Sequence, residues 1–218
     1  MSGLTLVTGP TVEPVSLSEL KVHLHMDQDM ADDDAQLTAI LVACRQIVEA
    51  HLKRALITQT WMLTLDRIGV MEEPLWEGLR EGADMPRARN YIVLPKPPLQ
   101  SVTSFVSYDD DDNASTFAAS NYFVDTSTTP GRVVVRSGSS WPVPSRVASG
   151  IEITYVAGYG GGWNDVPMTI RTGLMEFVRW VFDDCGGEMP SDGGIPSIAA
   201  SLLQPYMVFD VVGGGFNG

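Results

Sequence analysis

Basic residues are scarce in this sequence: 14 Lys and Arg stand against 27 Asp and Glu, a formal charge of -13 over 218 residues. Such a surface repels phosphate, which disfavours a domain built to grip nucleic acid, although an acidic wall would let DNA slide past without sticking. Cysteine is scarcer still. Cys44 falls on an apolar helical face and Cys185 is its only possible partner, so no structural disulfide is expected in a chain made in the cytoplasm. Of three histidines, His23 and His25 are two apart, a spacing that points them in different directions on a helix. Neither CxxC nor HExxH occurs, so no metal and no cofactor are expected. No apolar run approaches the roughly 20 residues that span a bilayer, and MSGLTLVTGPTVEP lacks the basic and apolar regions of a signal peptide. No membrane association is expected.

What the chain does have is enough apolar sequence, 44%, to bury a proper core. Residues 1–13 read as an irregular N-terminal arm, with Gly9 and Pro10 as breakers. Ser16 and Glu19 form a capping-box pattern that starts a helix over 16–25. An Asp-rich linker then offers Asp32 or Asp33 as N-cap to the best-defined helix, 34–56. There Leu37, Ile40, Leu41, Cys44, Ile47, Val48 and Leu52 recur at spacings of three and four, a stripe long enough to demand a partner surface.

From 58 to 157 the pattern turns to strands: Thr58–Leu65, Tyr91–Leu94, Val102–Tyr108, Tyr122–Val124, Arg132–Val135 and Ile151–Val156. Pro95, Pro97 and Pro98 predict a bend between two of them, and Asp109 to Asn113 a charged turn. Residues 69–90 have little periodicity and read as a long excursion. Helices follow over 167–183, with Pro167 at its first turn, and 198–203. The expected class is α+β: a helical core carrying a β-rich insertion at 58–157, within a main domain at 14–204, followed by a C-terminal arm at 205–218.

Candidate chemistry is thin. Loops beginning at Asp27 and Asp109 each start like calcium loops. The first has Ala31, Asp32 and Thr38 at its fifth, sixth and twelfth positions; the second places Ala114 and Ser120 where Gly and Glu are needed. Both read as solvated turns and caps. Gly158 to Trp163 looks like a phosphate loop, but Trp163 stands where a dinucleotide loop needs Gly and no Lys follows, so it reads as a strand-to-helix connection in which Trp163 plugs an apolar gap. No serine nucleophile motif occurs. The tail carries Tyr206, Met207, Val208, Phe209, Val211, Val212 and Phe216, costly to expose. It reads either as a final strand on its own subunit or as an arm that docks on a partner, with GGG as hinge.

In order and spacing, EPVSLSELKVHL, HLKRALITQTW, IVLPKPPLQSVTSF, NYFVDT, GRVVV, SWP and ITYVAGYGGGWNDVPMTIRTGLMEFVRWVFD resemble the head–tail connector, or adaptor, proteins of tailed bacteriophages over residues 12–183. The resemblance implies a structural protein without an active site. It would form a homo-oligomeric ring of about twelve copies at the head–tail interface of the virion, joining the portal protein to a stopper or tail-terminator protein and letting double-stranded DNA pass without sequence-specific binding. By the same analogy Tyr206, Met207, Val208, Phe209, Val211, Val212 and Phe216 would bind the portal, and Leu37, Ile40, Leu41, Ile47, Trp76 and Trp141 are the candidates for subunit contacts. The competing reading is a small acidic-site hydrolase or a stand-alone binding module.

Overall fold

The first two helices are set by local chemistry. In the computed structural model, which describes residues 2–68, 90–183 and 194–208, Ser16 caps α1 (Leu17–His23) by accepting the Glu19 N–H at 3.2 Å. The reciprocal half of the expected capping box is replaced, because the Glu19 carboxylate turns to Arg171. Asp33 is the N-cap of α2 (Asp34–Leu52), although its side chain makes no capping hydrogen bond. The helix ends at Leu52, short of the expected 56, because Lys53 takes the left-handed conformation (φ 54°, ψ 34°). The chain then peels away: the Ala55 N–H donates to the Pro97 carbonyl and the Leu56 N–H to the Glu49 carboxylate.

Leu37, Leu41, Cys44, Val48 and Leu52 bury one side of α2 against α3 (Met168–Asp183) and α4 (Ser197–Leu203). At about 1.5–3 kcal/mol for each fully buried aliphatic side chain, this stripe is a principal support of the helical half. Ile170, Leu174, Phe177 and Val178 complete the same core from α3.

The strands form two antiparallel sheets. The larger is ordered β1 (Ser2–Thr8), β2 (Gln59–Leu65), β8 (Ile151–Ala157), β4 (Leu99–Tyr108) and β5 (Ala114–Thr116). The smaller is β3 (Tyr91–Val93), β7 (Arg132–Val135) and β6 (Tyr122–Asp125). Central β8 shows the period-2 burial of a strand with one core face: Ile151, Ile153, Tyr155 and Ala157 are buried. They share a core with Leu63, Phe105, Ile92, Tyr122 and Val133, so one apolar layer serves both sheets. Phe105 and Phe117 meet edge to face at 5.1 Å, and Tyr122 and Trp141 close the aromatic cluster around them. The proline run makes the expected bend and carries the chain from the smaller sheet to the larger; the Tyr155 hydroxyl donates to the Pro95 carbonyl at 2.9 Å.

The molecule is α+β, as expected. Two strands correct the sequence reading. Residues 2–8 are not irregular but pair with β2 in register from Ser2 with Leu65 to Leu6 with Trp61; Gly9 and Pro10 end a strand instead of preventing one. The sheet is therefore not made by the insertion alone. Ala114–Thr116, three residues without visible periodicity, is the other, and it forms because the charged turn folds it back onto the end of β4.

Candidate functional site

Two polar assemblies fix the helices to the sheets. The first centres on Glu49, near the end of α2. One carboxylate oxygen accepts from Arg45 Nη1 at 2.8 Å; the other accepts from the Leu56 N–H at 2.9 Å and Gln59 Nε2 at 2.6 Å. Arg45 also donates to Glu13 at 2.8 Å. Arg45, Glu49 and Gln59 are all buried, so a charge pair and a backbone donor are satisfied together at the helix-to-strand junction. Lys96, in the proline bend, donates to the Glu49 carbonyl at 3.2 Å and lies 5.6 Å from the Trp61 ring centre; burial holds its ammonium below the usual lysine range.

The second assembly joins α1 to α3. Arg171 pairs with both Glu19 oxygens, and its guanidinium stacks 4.5 Å from the Trp163 ring centre. Trp163 thus does not fill an apolar gap: it is 39% exposed and covers an arginine. The glycine loop before it is a fastening, not a phosphate cradle. Its backbone clips to the connection between α2 and β2 through Tyr159 N–H to Leu56 O and Thr58 N–H to Gly160 O. Gly158 sits at φ 131°, where a Cβ would lie 2.5 Å from the Ile57 oxygen.

The Asp-rich loops engage their own backbone. Asp109 Oδ1 accepts from the Asp111 and Asn113 N–H groups at 3.0 and 2.8 Å, and Oδ2 accepts from Asn113 Nδ2 at 3.0 Å. The Asn113 side-chain hydrogen bond leads in holding this carboxyl below its ordinary range. The loop before α2 closes around Lys21, whose ammonium meets the Met30 carbonyl at 2.6 Å, the Asp34 carboxylate at 2.6 Å and the Gln28 carbonyl at 3.4 Å. Among the described residues no three His, Cys, Asp or Glu side chains are grouped as metal ligands. Cys44 is buried, and burial pushes its thiol up to about 12. A shallow cleft of about 190 Å³ lies between α3 and α4, lined by Glu176, Arg179, Trp180, Asp183, Pro196 and Ile198. Its Arg179 and Asp183 face each other at 3.5 Å across one helical turn.

The expected subunit-contact residues divide. Leu37 and Leu41 are covered by their own chain, at 0% and 3% exposure, and cannot offer a contact surface. Ile40 is half-buried and Ile47 is exposed, which leaves these two on α2. Trp141 is half-buried in the aromatic cluster of its own subunit. Trp76 lies outside the described residues, as do Phe209, Val211, Val212 and Phe216. The start of the tail packs at home: Tyr206 and Met207 rest on the helical core, the Val208 N–H donates to Leu52 O at 3.1 Å, and Arg54 donates to the Tyr206 carbonyl.

Sequence reasoning missed β1 as a surface. All seven of its residues are exposed, Leu4, Leu6 and Val7 among them, and β5 at the far edge of the same sheet is exposed throughout. The alternation of Leu4 and Leu6 with Thr5 was the available signal.

No family model and no curated protein matches this chain. Solved structures do match. The fold is similar to a chain in the neck of an empty gene transfer agent particle computed with C6 symmetry, at TM-score 0.73 and 21% identity, over 97% of this chain and 98% of that one. A chain of the virion of a native gene transfer agent particle aligns at TM-score 0.70 and 20% identity, with the same coverage. One from the neck of the native particle computed with C12 symmetry aligns at 0.67 and 19%, again over 97% and 98%. The shared fold spans both the helical and the sheet halves.

Proposed function

We propose that this chain is a structural, non-enzymatic subunit of the neck of a tailed bacteriophage or phage-like particle, acting as a head–tail connector. The observation that carries this reading is the near-complete two-way alignment with chains from gene transfer agent necks and virions. In finer terms, about twelve copies form a ring beneath the portal, hold a stopper or tail-terminator protein on the other side, and surround the path of the DNA. The formal charge of -13 suits a lumen that DNA must cross without adhering. The tail from Phe209 onward is the portal-binding arm in this reading, anchored at its root by the Val208 and Tyr206 hydrogen bonds.

Light scattering on the purified chain, alone and mixed with the portal protein of its particle, tests the proposal. A ring-sized mass in either sample is expected, and truncation at 208 abolishes the portal-dependent species. A monomer in both samples sinks the connector reading.

A further inference from the structure

We infer that the ring is built by sheet extension: the free edge of β1 in one copy adds to the free edge of β5 in the next. This deepens the connector reading above and rests on it.

Among the described residues, the larger sheet has two unpaired edges, β1 and β5, on opposite sides. A strand edge presents a row of unpaired N–H and C=O groups, and proteins blunt it with charges, prolines or bulges unless it is meant to pair. Ser2–Leu6 carries none of these: it has no charge and no proline, and it pairs regularly with β2 up to a bulge at Val7. Its two faces are bare, with Leu4 38% and Leu6 45% exposed.

The occupant is a second copy of this chain. On a molecule of charge -13, copies repel wherever acidic surfaces meet, so contact belongs where charge is absent. Both edge strands, SGLTLVT and AST, are uncharged. Closed rings need two different patches that meet head to tail, and opposite edges of one sheet supply that pair. The outer edge of β4 is a poorer partner, because its register breaks at Gln100 and Thr103. The pairing therefore falls on β5.

The test is cross-linking with a short bis-maleimide in a Cys185→Ser background, using Leu4→Cys, Ser115→Cys and the double variant at high protein concentration. Leu4 and Ser115 are exposed, so neither change disturbs a core. The double variant is expected to give a ladder of dimers, trimers and higher species on denaturing gels. Each single variant should give at least tenfold less product. Dimers from Leu4→Cys alone would overturn the inference in favour of two-fold β1 pairing. No product from any variant, while the unmodified chain still forms rings by light scattering, would overturn this interface and leave the connector reading standing. If neither rings nor cross-links appear, with the portal protein present as well as without it, both fail.

Discussion

Glu49 is the residue on which the junction between helices and sheets depends. Its two oxygens serve Arg45, the Leu56 N–H and Gln59, all out of water. Removing one member of a buried pair leaves an uncompensated charge, so Glu49→Ala should cost about 3–5 kcal/mol in urea unfolding. Glu49→Gln, which keeps an acceptor for the Leu56 N–H, should cost less. Asp109 works by hydrogen bonds in an exposed turn and predicts a pH effect instead. Its folded-state pKa is depressed, chiefly by the Asn113 side chain, so its stabilisation is complete above the unfolded value and is lost as pH falls through the folded one. The gap in melting temperature between the natural chain and Asp109→Ala should stay constant from about pH 7 to pH 5 and close below about pH 4. None of these partners was visible in sequence. The Ser16–Glu19 spacing is a good example: it marked the helix start correctly, yet Glu19 took a partner 152 positions away.

At the scale of elements, strong periodicity was legible and short or context-made structure was not. The stripe from Leu37 to Leu52 gave α2, and β8 gave its alternation, because burial on one side imposes a period on the residues. The end of α2 was hidden, since Lys53, Arg54, Ala55 and Leu56 are all good helix formers and only the tertiary pull of Pro97 and Glu49 draws them off. Breakers misled at the N-terminus: Gly9 and Pro10 mark a boundary, and a boundary says nothing of what precedes it. In the candidate contact surface the same logic applied, as the stripe that demanded a partner found most of it within its own chain. The glycine loop is the element whose sequence was most restrictive. Gly158→Ala must place a methyl group against the Ile57 carbonyl at a φ that L residues avoid. A loss of about 1–3 kcal/mol is expected, read by thermal or chemical denaturation.

For the whole molecule, the governing quantity is charge. In the proposed ring, chains at -13 each accumulate repulsion with every copy added, so counterions should promote assembly. Raising salt from roughly 20 to 300 mM shortens the screening length from about 20 Å to below 10 Å. The assembled fraction in sedimentation should rise with it. A portal-dependent ring should show the same direction, whereas an association driven by opposite charges would weaken.

The lysine enclosed before α2 has a consequence for how that loop answers its surroundings. Carbonyls of Met30 and Gln28 and a carboxylate of Asp34 gather round Lys21 Nζ in the way oxygen ligands gather round a calcium ion. The central cation here is tethered by a covalent stem, so the loop carries its own counterion and owes nothing to the metal content of the medium. Chelators should leave its melting curve unchanged. Lys21→Met, which keeps the stem and removes the charge, should loosen residues 26–34 in hydrogen exchange while the α2–α3 core stays protected.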